Sequence, residues 1–272
     1  AQLTVVEALP RLLSGVDPDC TQVVERKLKT AGASILKSAK ALGYDKQPDG
    51  SVRVRVEAEG RTVTIDCDVV LVAVGMRPNS GGIGLEQLGV KLQPNGAVPV
   101  DKQGRTNVPG VYAIGDVTGA PLLAHKASKE GEVVAEVIAG KTAARDWVTI
   151  PAAIFVDPEI ASAGMTADQA REAGYEVKVG KFPFAALGRA IAMAESDGFV
   201  KTVMDAKTHR LLGVHMVGPS VSELVAEATL ALEMGALADD LALTVHTHPT
   251  LAEAIMESAA HAIGQAIHTM NR

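Results

Sequence analysis

Cysteine is scarce in this chain. Cys20 and Cys67 are the only two in 272 residues, and they form neither a Cys-x-x-Cys pair nor a metal-ligand spacing. A disulfide framework is thereby excluded, and a reducing compartment fits, so a cytoplasmic location is expected. No Lys/Arg run occurs and the formal net charge is -6, which argues against a nucleic-acid or anionic-membrane binder. The apolar stretches are broken by charge too soon to cross a bilayer. A signal peptide is not expected, and an internal repeat and low-complexity sequence are missing. So is the Gly-x-Gly-x-x-Gly turn of dinucleotide-binding folds.

What is present is globular. Hydrophobic residues make up 47% of the chain, enough for a large core and two or more domains. Ala1-Gln2-Leu3-Thr4-Val5-Val6-Glu7 enters a β-branched run at once, as expected of a polypeptide cut inside a domain. Residues 3–6 predict a strand, and Asp17-Pro18 starts a helix that reaches Ala31, with Gly32 as its C-terminal cap. Residues 51–57 and 61–66 predict a hairpin after the turn Pro48-Asp49-Gly50. The apolar run Val69 to Val74 predicts a fully buried strand.

Gly75 to Gly84 is rich in glycine and marks a hinge. Beyond it, Val111-Tyr112-Ala113-Ile114 predicts a short buried strand, and Leu122 to Ala139 a helix stopped by Gly140. After Trp147, strands at 152–156, 176–182, 199–205 and 211–217 accompany helices at Thr166–Ala173, Val221–Met234 and Leu251–Ile267. The expected fold class is α/β followed by α+β. The expected parts are residues 1–76, a partial doubly wound nucleotide-binding domain; 77–148, a central segment; and 149–272, an antiparallel sheet with helices.

Several short segments carry chemistry. His248-Pro249-Thr250-Leu251-Ala252-Glu253 sets an imidazole in the backbone a proline favours, with a carboxylate five residues on. A His held by a carboxylate is a general base near neutral pH. The same stretch also fits a T-x-x-E capping box, in which Glu253 serves only its helix. Glu7, at a strand end, can accept from ribose hydroxyls, or simply be solvated. Gly75 lets backbone approach a ligand, or acts as a plain hinge. Thr106 to Asp116 delivers a strand into Gly115-Asp116, where Asp116 can accept from a polyol. Leu122, Leu123, Ala124 and His125 open a helix whose positive end can face an anionic group. His246, two residues before His248, suggests a metal pair, but nothing nearby completes a ligand set.

Together these segments resemble the flavin-dependent pyridine nucleotide–disulfide oxidoreductases, in order and over the entire chain. The resemblance implies FAD and NAD as cofactors. It implies an NAD-binding role for residues 1–76, with Glu7 and Gly75 at the NAD site. The segment 77–148 would contact flavin, with Asp116 at the ribitol and Leu122, Leu123, Ala124 and His125 at the isoalloxazine. Residues 149–272 would form the interface domain of a homodimer, contributing His248 with Glu253 as its acid–base pair. Leu251-Ala252-Glu253-Ala254 is closer to the branch that oxidises dihydrolipoamide than to glutathione reductase-like or mercuric reductase-like members. That branch implies a lipoyl-bearing acyltransferase of 2-oxo acid dehydrogenase complexes as partner. The family's N-terminal FAD-binding turn and Cys-x-x-x-x-Cys are absent from the sequence. The fragment alone is therefore expected to be inactive, and the competing readings are a dimerisation or binding module without redox activity and a related disulfide reductase, mercuric or glutathione reductase-like.

Overall fold

A computed structural model describes residues 1–271. Two compact units emerge: residues 1–71 together with 149–272, and residues 72–148. In the first unit, β1 (Thr4–Val6) pairs in parallel with β2 (Ser34–Leu36), and α1 (Pro18–Thr30) connects them. The helix starts where the sequence directs: Asp17 accepts the Asp19 amide at 3.0 Å, and Pro18 fills the first turn, where its missing N–H costs nothing. Strands β3 (Lys40–Lys46), β4 (Val52–Ala58) and β5 (Arg61–Cys67) form an antiparallel sheet. The β4–β5 hairpin turns on Glu59 and Gly60, both at positive φ, which matches the twist of the strands they join. The hairpin stands as expected; β2 and β3 were not foreseen.

The run Val69 to Val74 is not a strand. Val69, Leu71 and Val74 are 81%, 88% and 92% exposed, and no strand among the described residues pairs with them. An apolar run becomes a buried strand only with neighbours on its edges, so composition alone misled here.

The 72–148 unit contains one helix, α2 (Ala124–Ile138), which matches its expected place. Val111 to Ile114 forms no strand; Tyr112 makes a single antiparallel bridge to Arg105, and Val111 to Ala113 are only half-buried while Ile114 is exposed. A short 3-10 turn, Gly115–Thr118, follows.

The C-terminal part of the first unit supplies the main core. Its elements are β6 (Ala152–Ile154), β7 (Glu159–Gly164), α3 (Ala167–Glu172), β8 (Val177–Pro183), α4 (Gly188–Ala192), β9 (Phe199–Asp205), β10 (Leu211–Gly218), α5 (Val221–Glu233), α6 (Ala238–Leu243) and α7 (Glu253–Ala262). Five strands form one antiparallel sheet in the order β6-β7-β10-β9-β8. Every residue of β9 and β10 is buried, because both sheet faces are covered. On one face Val200, Met204, Val214 and Met216 meet α5 and α7. On the other, Phe199 and Val217 meet Cys20, Val23 and Val24 of α1, and Val203 meets Ala170 of α3. The period-two alternation of the strands thus sorts side chains between two helical layers.

Two close contacts tie these layers down. Lys201, on the α1 face, places its ammonium 2.8 Å from Asp17 and 3.1 Å from Asp19. Burial works against the Lys201 charge, but the two carboxylates outweigh it and hold the ammonium above its ordinary range. On the opposite face α7 lies directly on β8. A Cβ at Gly180 would stand 2.0 Å from the Ser258 carbonyl oxygen and 2.4 Å from the Ala262 nitrogen. The sequence did not reveal β7, whose small residues show no strong alternation, nor the short α4 and α6. It also ran α7 on to Ile267, whereas the helix stops at Ala262 before Gly264. No helix among the described residues is long and apolar enough to cross a membrane.

Candidate functional site

The loop between α6 and α7 carries the most developed chemistry. Two short helices set its ends, and α7 begins at Glu253 itself. His248 Nδ1 donates to Glu253 Oε1 at 2.8 Å, while the Thr250 amide donates to Glu253 Oε2 at 2.8 Å. The imidazole is 77% exposed and the carboxylate 14%. Burial raises the cost of charge on Glu253, but the Thr250 N–H and the His248 ring outweigh it and hold the carboxyl below its ordinary range. With Nδ1–H committed to Glu253, the lone pair of His248 lies on Nε2. That nitrogen makes no hydrogen bond among the described residues and faces out, as a base awaiting a proton would.

The capping-box reading is half right. Glu253 does satisfy the Thr250 amide, but the Thr250 hydroxyl donates to the Thr247 carbonyl rather than capping the helix. One carboxylate oxygen serves the backbone and the other the imidazole.

His246 does not share a face with His248. Its side chain is 6% exposed, and its ring lies 2.8 Å from Glu227 Oε1 through Nε2 and 2.9 Å from the Thr244 carbonyl through Nδ1. Extended alternation fails in this loop, so the imagined metal pair is not formed. No group of three metal-ligating side chains occurs among the described residues.

A second constellation lies in the 72–148 unit. Gly115 has φ +74°, and a Cβ there would approach the Ala127 Cβ to 3.1 Å. Its amide donates to Glu130 Oε2 at 2.7 Å, and Arg145 donates to Glu130 Oε1 at 2.8 Å. The Lys126 ammonium gathers the Gly119 carbonyl at 2.9 Å, the Thr118 hydroxyl at 3.2 Å and the Gly115 carbonyl at 3.3 Å. The loop is thus fixed from beneath by buried charges, while the Asp116 carboxylate is exposed and makes no hydrogen bond among the described residues. A pinned backbone with a free outward acceptor fits the hydroxyls of a polyol such as ribitol. Leu122 and Leu123 are half-buried, and Ala124 and His125 are exposed on the first turn of α2. Glu130 and Arg145 were missed in the sequence. The i, i+4 spacing of Lys126 and Glu130 was the available sign, although such spacing usually marks a solvated face.

The two residues assigned to NAD are in different units and are described separately. Glu7 follows β1, half-buried, with Oε1 accepting the Leu9 amide at 2.8 Å. It closes its own turn with one oxygen and keeps the other. Gly75 has φ +104°, with open space where a Cβ would stand. Neither cysteine offers a redox pair: both are free, and burial pushes the Cys20 thiol far up, which removes its thiolate.

Comparison with known proteins shows the family. Residues 1–131 match the family described as "Pyridine nucleotide-disulphide oxidoreductase", and residues 150–259 its "dimerisation domain". A dihydrolipoyl dehydrogenase of Geobacillus stearothermophilus is 46% identical over 271 residues, covering 100% of this chain and 57% of its own length. That of Thermus scotoductus is 48% identical, covering 100% of this chain and 59% of its own length. Among solved structures, the HOCl-induced flavoprotein disulfide reductase RclA from Escherichia coli has a TM-score of 0.86 at 26% identity. The match covers 96% of this chain and 59% of that one. The chain therefore spans somewhat over half the length of the curated relatives it matches.

Proposed function

The chain belongs to the pyridine nucleotide–disulphide oxidoreductases, and on that premise we propose that it is the C-terminal portion of a dihydrolipoyl dehydrogenase, a family that uses FAD and NAD. The observation that carries this reading is the His248–Glu253 pair at 2.8 Å, with Nε2 of the imidazole turned outward. Identities of 46% and 48% to dihydrolipoyl dehydrogenases, against 26% to a disulfide reductase of another kind, favour that branch.

In the proposed reaction, His248 Nε2 takes the proton from a dihydrolipoamide thiol as its S–H bond breaks. The thiolate so formed attacks one sulfur of the family's redox-active disulfide, and the other sulfur leaves as thiolate. The remaining substrate thiol, deprotonated in turn, closes lipoamide and leaves the enzyme dithiol reduced by two electrons. FAD, when bound, supplies the relay of those electrons to NAD. Glu253 fixes the imidazole orientation and favours its cation once the proton arrives. Asp116 and the first turn of α2, from Leu122 to His125, would hold the flavin. Glu7 and Gly75 would lie toward NAD.

The match of residues 150–259 to a dimerisation domain supports a homodimer, in which His248 of one subunit serves the disulfide of the other. A lipoyl-bearing acyltransferase component of a 2-oxo acid dehydrogenase complex is the proposed partner, and the cytoplasm the proposed location.

The test is substrate choice in the full-length protein. Dihydrolipoamide-dependent reduction of NAD is expected, with little turnover of glutathione disulfide by NADPH. The opposite preference would move the chain to a sister reductase, and a full-length protein without either activity would favour a binding module.

A further inference from the structure

From Leu243 to Pro249 every residue except His246 is exposed; Leu243 and Val245 reach 79% and 94%. The stretch that presents His248 therefore has one side chain turned inward. Its ring nitrogens both meet acceptors, the Thr244 carbonyl at 2.9 Å and Glu227 on α5 at 2.8 Å. The rest of the loop's polar side-chain contacts are local. Thr244 donates to the Asp240 carbonyl, Thr250 to the Thr247 carbonyl, and His248 to Glu253. Among the described residues, His246 makes the loop's only side-chain hydrogen bond to a helix outside its own two flanks.

We infer that His246, anchored by Glu227, is a positioning residue for His248. It fixes the height of the exposed loop so that the His248 ring reaches both Glu253 and the incoming thiol. This rests on the proposed acid–base role of His248. The mechanism is orientation: a misplacement of about 1 Å in a reacting group costs up to roughly 10²-fold in rate.

The experiment uses the full-length enzyme, with flavin content and melting temperature recorded for each variant. His246→Ala and Glu227→Ala are each expected to lower dihydrolipoamide turnover by roughly 10- to 100-fold with flavin retained. Glu227→Gln, whose amide can still bind the ring, is expected to recover most of what Glu227→Ala loses. The deciding readout is made in a His248→Gln background. There, adding His246→Ala is expected to cost little more, because the group it positions is already gone. An equal loss in both backgrounds, or wild-type turnover in His246→Ala, would overturn the inference. Amide exchange provides a readout independent of turnover: the Thr250 N–H is expected to lose protection in His246→Ala, and unchanged protection also overturns it. If His246→Ala does not fold, the contrast between Glu227→Ala and Glu227→Gln decides. If His248→Gln alone leaves turnover intact, the proposed function fails, and the exchange result still judges the anchor.

Discussion

Glu253 holds His248 at 2.8 Å with one carboxylate oxygen and the Thr250 amide at 2.8 Å with the other, so one side chain both starts a helix and orients an imidazole. The five-residue step between the two is bridged by a turn whose amide is satisfied by the same carboxylate. Loss of either contact leaves Glu253 held by the other.

That sharing sets the first expectation. In the full-length enzyme, His248→Gln should lower dihydrolipoamide oxidation by roughly 10²–10⁴-fold with the fold and flavin unchanged. Glu253→Gln should cost less, since the base itself remains. The double variant should be little worse than His248→Gln, because the pair acts as one unit. Steady-state turnover of the three variants checks this, and additive losses would count against the pairing.

The second expectation concerns acid. The folded structure holds the Glu253 carboxyl below its ordinary range, despite the opposing effect of burial. A depressed carboxyl adds stability that is present above the unfolded value, about 4.3, and is lost as pH falls through the folded value. Urea midpoints measured between neutral pH and pH 3 should therefore fall less steeply in Glu253→Gln than in the parent. The acid limb of the turnover profile should move in the same variant.

Lys201 gives the third. Its ammonium lies 2.8 Å from Asp17, with the two side chains only 9% and 1% exposed. Removing one partner of such a pair leaves a buried charge, so Lys201→Met should destabilise by about 3–5 kcal/mol. Lys201→Met with Asp17→Asn should recover part of that loss, because Asn keeps the cap of α1 and carries no charge. Chemical denaturation reads both, and equal stability of the single variant and the parent would refute the coupling.

The fourth concerns His215, buried in β10. Its Nε2 lies 2.9 Å from the Met165 carbonyl and its Nδ1 has no partner among the described residues. Burial is the main influence and depresses its pKa, so the ring stays neutral in the fold. Stability from this site is full above the unfolded value, about 6.5, and is lost as pH falls below it, where the unfolded chain takes up the proton. His215→Gln, which keeps a donor to Met165, should flatten the stability profile between about pH 6.5 and 5. An unchanged slope would mean that the ring is protonated in place.

Much of the helical and hairpin structure was legible in the sequence because its signals are local. Asp17-Pro18 caps α1, and a two-residue turn closes β4 onto β5. The His248–Glu253 pair was legible for the same reason, since five residues of chain bring it together. What escaped depends on distant partners. Val69 to Val74 read as a buried strand but has no strand beside it among the described residues. The His246 ring read as a companion to His248, yet its partner is Glu227, on another helix. Glu130 looks like a surface charge in its helix and becomes a buried clamp only through Gly115 and Arg145.

Gly180 carries no functional atom, yet it sets how near α7 can come to the sheet, since any side chain there would run into Ser258 and Ala262. Glu253 begins that same helix, so a side chain at position 180 that lifts the helix is expected to disturb the seat of its first carboxylate as well. A screen of random variants scored by turnover would rank position 180 among the catalytic positions. A screen scored by solubility would rank it with the core. The disagreement between the two rankings is itself a measurement: it separates the cost of lifting the helix from the cost of losing the fold. Alanine there is the smallest wedge available, and serine the next.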